Sequence, residues 1–233
     1  MSSLATRLVS RLQFLPLVVD LACAANTDDS MSGSGHASAC TPFATSVVDH
    51  EFGEGASEGQ GPDEFPDRVL GPPQGRGCCA GGLDVTSLGN GGVIVLAFDA
   101  VILDGPGDDF IVFENAFNVG GDPEAPFAEL ATVEVSDDGE TWHEFPCEAL
   151  EYPYDQCAGW HPVLANDEQP FDPDHPEAAG GDAFDLAAVG LESATWVRIT
   201  DRADLSEALD CCFDLDAVAL INFECDEPTS GDE

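Results

Sequence analysis

Residues 107–117, GDDFIVFENAF, place an unbroken apolar run, Phe110 to Phe113, between carboxylates at either end. Four apolar residues in succession suit a strand whose two faces are both covered. At about 3.3 Å per residue, Asp109 and Glu114 stand roughly 16 Å apart, too far to share one ion. The stretch therefore marks two ends of a sheet, and each end needs its own explanation.

Working outward, runs rich in β-branched and aromatic residues predict further strands over 44–52, 83–88, 93–98, 131–136, 141–145, 195–200 and 213–223. GNGG at 89–92 and DDGE at 137–140 supply the left-handed turn residues of tight hairpins. DLAAVGL, 185–191, is the single hint of a helical turn, with Asp185 as its N-cap. Many short strands with Gly/Pro punctuation predict an all-β, antiparallel sandwich with long loops. Alternating strand directions then sort the loops: 71–82, 99–109, 137–140 and 201–212 gather at a top end. The loops 114–129 and 147–182 gather at a bottom end with both chain termini.

The 233 residues carry 46 acidic side chains against six arginines and no lysine, a formal net charge of −40. Such a surface repels phosphate backbones and anionic lipid, which excludes nucleic acid and a membrane surface as partners. Most of these carboxylates form a solvated coat, and a minority are candidates for calcium, which takes oxygen ligands. Residues 1–25 read as a signal peptide: Arg7 and Arg11, an apolar stretch from Leu12 to Val19, then small residues. Leu21, Ala22 and Cys23 resemble the end of a lipoprotein box, which makes Cys23 the candidate lipidation site and a lipid anchor the one route to a membrane. Ala22, Cys23 and Ala24 read equally as an ordinary cleavage site, leaving a freely secreted protein. Residues 26–39 form a polar, Ser/Gly-rich tether, 40–225 the β-sandwich domain, and 226–233 an acidic tail.

Either route of processing leaves eight of the nine cysteines, an even set that implies disulfides in an exported chain. The loop sorting pairs Cys40 with Cys225 and Cys147 with Cys157 at the bottom. It joins the doublet Cys78/Cys79 to the doublet Cys211/Cys212 at the top. Vicinal bridges within each doublet and a thiolate metal site are the alternatives.

VEVSDDGETWHEF, 133–145, and ATWVRITD, 194–201, resemble two hallmark strands of discoidin domains. With the closing FDLDAVALINF they imply a galactose-binding-like jelly roll. The series VLGPP, SLGNGGVIVLAFD, DGPGDDFIVFENAF, GGDAFDL and FDLDAVALIN is similar to bacterial cell-surface and lipoprotein-like modules, and it covers most of 65–223. The resemblance implies an exported adhesion or carbohydrate-binding unit, at the cell surface or on the outer membrane, with a glycan or a cell-surface partner held by variable loops.

Two candidate sites follow. At the top, Asp104, Asp108 and Asp109 lie in the turn DGPGDD, and Asp214 and Asp216 begin the last strand at the same end. Crowded carboxylates repel unless a cation or solvent screens them, and the resemblance implies a structural calcium. A solvated loop with aspartates capping turn amides is the alternative. At the bottom, Glu114 and Asn115 face a long loop bearing Tyr152, Tyr154 and Trp160, residue types that suit a sugar platform. Here the alternatives are that the aromatics plug the end of the sandwich and that Glu114 is a buried carboxylate bonded to loop amides. GxSxG, HExxH and CxxC motifs are all lacking, so catalysis by a carbohydrate-active hydrolase stands behind binding, beside a purely structural surface protein.

Overall fold

The computed structural model describes residues 40–56, 64–148, 151–205 and 212–225, all within one unit, Ser38–Glu233. The expected signal, tether and acidic tail lie outside the described residues, as do Cys23 and Cys211. No helix among the described residues is long and apolar enough to cross a membrane.

In chain order the described strands are β1 (Ser46–Glu51), β2 (Thr86–Ser87), β3 (Val93–Leu103), β4 (Phe110–Phe113), β5 (Phe117–Asn118), β6 (Pro126–Phe127), β7 (Ala131–Ser136), β8 (His143–Glu144), β9 (Asp182–Phe184), β10 (Ser193–Asp201), β11 (Asp214–Leu215), β12 (Ala217–Leu220) and β13 (Phe223–Cys225). The larger sheet has the order β1–β3–β10–β7–β8, every pair antiparallel. The last strand, β13, runs beside the far half of β3, with Cys225 opposite Ala100. A second antiparallel sheet has the order β12–β4–β9. Helical structure is confined to single turns; the one at Leu186–Ala188 is capped as expected, the Asp185 carboxylate accepting from Ala187 N–H at 2.8 Å.

The apolar run of β4 is buried on both faces. Phe110 and Val112 join the main core with Ile94 and Leu96 of β3, Val133 of β7 and Ile199 of β10. Ile111 and Phe113 face the other way, against Val163, Ala165, Phe171 and Ala179 of the long 147–182 segment. That second layer explains why the run lacks polar alternation. Full burial stabilises each phenylalanine by roughly 2 to 3 kcal/mol. The segment seats closely: at Gly181 (φ +76°) a Cβ would stand 2.6 Å from Phe113 Cδ1, so both backbone conformation and space require glycine.

Strict alternation makes β1 parallel to β3, but the two pair antiparallel, and residues 71–82 lie at the bottom, against Asn115 and Asp216, rather than at the top. After β4, the strand that the loop sorting lacked is β9. Three residues preceded by Gly180 and Gly181 give too short a pattern to read as a strand. Its insertion reverses every element after it. Thus β10 runs antiparallel to β3, with Thr200 opposite Val93, and residues after Asp201 fall at the bottom rather than the top. Cys40 and Cys225 are bridged, with Cα atoms 5.6 Å apart, but beside the Ala100–Ile102 half of β3 rather than at the bottom. Cys147 and Cys157 are bridged as well. The expected links between the doublets are corrected, because Cys78 bonds to its neighbour Cys79. Cys212 is disulfide-bonded too, to none of the other described cysteines.

Candidate functional site

The five aspartates expected around one calcium are divided between the two ends. Antiparallel pairing sets Ala217 opposite Phe113 and Leu220 opposite Phe110, so Asp214 and Asp216 stand by Glu114, not by Asp109. At the Asp109 end, the buried carboxylate is already committed. Its Oδ1 accepts from Gly105 N–H at 2.8 Å and from Asn222 Nδ2 at 2.9 Å, and its Oδ2 accepts from Leu186 N–H at 2.8 Å. Asp104 and Asp185 bring carboxylate oxygens within 4.8 Å of one another and of Asp109. Asp108 is exposed, and partial desolvation of its carboxyl first, then Asp185 and Asp109, raises its pKa. Asp109 thus does the amide-capping work that the alternative reading assigned to this loop.

The other end is denser in buried charge. Glu114, at the end of β4, is 1% exposed. Neither of its side-chain oxygens has a hydrogen-bond partner. Glu129, which precedes β7, and Asp214, which opens β11, bring carboxylate oxygens within 4.8 Å of it and of each other. Burial raises the Glu114 pKa well above the ordinary value, and Glu129, Asp214 and Asp182 raise it further. The backbone N–H of Asn115 favours the anion electrostatically without reaching hydrogen-bond geometry. Asn115 instead donates through Nδ2 to Asp214 Oδ2 at 3.0 Å and to the Gly82 carbonyl at 3.3 Å. Asp216 accepts from Gln74 N–H at 2.9 and 3.1 Å, and burial raises its pKa to about 7. Glu114 is therefore corrected as a sugar contact: it is buried too deeply to meet a glycan, and with neither oxygen hydrogen-bonded it is not the amide-bonded carboxylate of the alternative reading either.

Tyr152, Tyr154 and Trp160 do come together, but edge to face with one another, their ring centroids 5.8 to 6.1 Å apart. Tyr154 and Trp160 pack on Ala128, Leu130 and the Cys147–Cys157 bridge. Trp160 Nε1 donates to the Cys157 carbonyl at 3.2 Å, and Tyr152 Oη donates to the Pro123 carbonyl at 3.2 Å. The rings thus pack on one another and on the bridge, with the polar tips of Trp160 and Tyr152 bonded internally; of the three, Tyr152 is the exposed one.

Open aromatic surface lies elsewhere, on the outer face of the larger sheet. Along β10, Val197 and Ile199 are buried while Trp196 and Arg198 stay half-exposed on the opposite face. Trp142 precedes β8, and the Arg198 guanidinium lies over its ring, 4.1 Å from the centroid. Arg198 also forms a two-pronged ion pair with Glu134 of β7, so the arginine is held flat and its charge is answered. The 137–140 turn shapes the rim. Asp138 Oδ1 accepts from Glu140 N–H at 2.8 Å and Thr141 N–H at 2.6 Å, bonds that lower its pKa to about 2. Gly139 (φ +72°) then rests on the Trp196 indole, where a Cβ would lie 3.6 Å from the ring. A register shift in β1 between Val47 and Asp49 sets Val48 outward, 56% exposed. Together these residues, with Val93 and Val95, line an open groove of about 380 Å³. A larger cleft of about 590 Å³, over Ile111 and Ile221, has no Phe, Tyr or Trp in its walls.

The groove was within reach of the sequence. Period-two alternation in ATWVRITD puts Trp196 and Arg198 on the face opposite Val197 and Ile199. No protein-family model matches the chain, and no curated protein matches it.

Proposed function

We propose that the chain is a noncatalytic, exported cell-surface binding module, a galactose-binding-like jelly roll related to discoidin domains. It binds a neutral carbohydrate in the Trp142–Trp196 groove. The observation that carries this reading is the pairing of two indoles, one rigid arginine and two flanking carboxylates, Asp49 and Asp138, around one open groove. Indole faces take the apolar CH faces of a pyranose, and the charged rim supplies hydrogen bonds to hydroxyls. Arg198 is neutralised by Glu134 and the chain carries −40, so an anionic glycan is disfavoured. Two antiparallel sheets sharing one core support the jelly roll, and disulfides support an oxidising compartment, hence export. The converging carboxylates Glu114 and Glu129 are buried beyond reach of a glycan, which supports binding over hydrolysis.

A neutral-glycan array probed with the purified chain tests the reading. Binding is expected, with a loss of about tenfold or more on Trp142→Ala or Trp196→Ala and none on Tyr152→Ala. Binding that ignores both tryptophans and disappears with Tyr152→Ala would return the site to the end loop. Hydrolysis of an arrayed glycan would make the protein an enzyme.

A further inference from the structure

We propose that Glu114, Glu129 and Asp214 hold a divalent cation of calcium's size, inside the end of the domain opposite the DGPGDD turn. The buried aspartates of this protein are satisfied by backbone N–H groups. Asp109 accepts from Gly105 and Leu186 N–H groups, and Asp182 from Gly159 at 2.7 Å and Trp160 at 3.2 Å. Asp201 accepts from Gly91 and Phe213, both at 2.8 Å, and Asp216 accepts from Gln74. Each of those carboxylates has backbone donors aimed at it. Glu114 is buried as deeply, yet both of its oxygens lack a donor.

A carboxylate in that position loses its hydration and gains nothing in return, a cost of several kcal/mol if it stays ionised and alone. It is not alone, and its neighbours make the balance worse: Glu129 and Asp214 add like charge within 4.8 Å. A cation reverses the sign of all three interactions at once. The spacing suits one. Oxygens bound to the same calcium at about 2.4 Å can stand at most about 4.8 Å apart, and these three groups each offer an oxygen within that limit. Asp214 is oriented for the purpose by the Asn115 amide, which occupies Oδ2. The three ligands come from the end of β4, the approach to β7 and the start of β11, so one ion would tie both sheets together at this end. None of the groove residues takes part, and the site stands whether or not a glycan binds.

Thermal unfolding of the full mature chain, stripped with a chelator, tests the proposal. Calcium chloride is compared with magnesium chloride and with sodium chloride at equal ionic strength. The expected result is a Tm raised by about 5 to 10 °C when calcium is a hundredfold above its Kd, over the sodium control. Glu114→Gln should melt no lower than the parent in chelator and show no calcium increment, whereas Asp109→Asn should keep the increment over its own chelated baseline. Equal melting in calcium and sodium, or an increment that survives Glu114→Gln, would overturn the site. A magnesium response without a calcium response would overturn the assignment of size. If Glu114→Gln fails to fold, Asp214→Asn takes its place, and calorimetric titration of the parent chain decides: saturable uptake of one calcium is expected, and no saturable heat refutes it.

Discussion

Replacing Asp109 by alanine should remove more stability than any other single carboxylate deletion at its end of the sandwich. Its two oxygens answer three donors: the N–H of Gly105 in the DGPGDD turn, the N–H of Leu186 at the first helical turn after β9, and Nδ2 of Asn222 between β12 and β13. Hydrogen bonds to an ionised acceptor contribute about 1.5 to 3 kcal/mol each, and the Leu186 donor is fully buried, so its loss is not repaired by water. Taking the low end, because the three are coupled, gives a loss of roughly 4 kcal/mol. In a unit of this size that lowers Tm by about 8 to 16 °C, a large part of the 5 to 15 kcal/mol of a typical domain. Asp109→Asn keeps one acceptor oxygen and turns an amide toward a donor, so about half that loss is expected. The neighbouring Asp108→Asn should be neutral or slightly stabilising, since burial, Asp185 and Asp109 all disfavour its charge. Urea unfolding followed by tryptophan fluorescence measures all three variants. A loss below about 1 kcal/mol for Asp109→Ala, or equal losses for the Asp108 and Asp109 amides, would refute the capping role and restore a diffuse acidic loop.

Three further outcomes are expected. Removing the Cys40–Cys225 bridge by double serine substitution opens a loop of sequence separation 185 and should lower stability by roughly 5 kcal/mol on chain entropy; denaturant midpoints with and without the bridge check it. Gly181→Ala sets a Cβ against Phe113 and Ile111 at positive φ, so a loss of about 2 kcal/mol or more is expected in the same assay. Asp138 should titrate near 2 rather than at its ordinary 3.8, because Thr141 and Glu140 N–H groups bind its anion. A depressed folded pKa means that its contribution to the turn is present above 3.8 and is lost as pH falls toward 2. Carbon-13 NMR titration of the Asp138 carboxyl reads it directly, and a midpoint at or above 3.8 would show that the turn bonds do not hold in solution.

The all-β character, the strands at Phe110–Phe113 and Ala131–Ser136 and the helical turn behind Asp185 were legible in the chain because each rests on local pattern: an apolar run, alternation, a capping side chain. The Trp196–Arg198 face was equally written in alternation, although its value as a groove depends on Val48, Gly139 and Trp142, which only folding brings beside it. Which end of the sandwich each loop occupies was not legible. That property depends on the parity of the strand count, and a three-residue strand, Asp182–Phe184, carries too little pattern to be counted yet reverses all that follows. The same reversal moved Asp214 and Asp216 from Asp109 to Glu114. Sequence shows that Glu114 ends an apolar strand. Tertiary structure decides that Glu129 and Asp214 close on it and that no donor reaches hydrogen-bond geometry on its oxygens, because burial and hydrogen-bond satisfaction are set by segments 15 and 100 residues away in the chain.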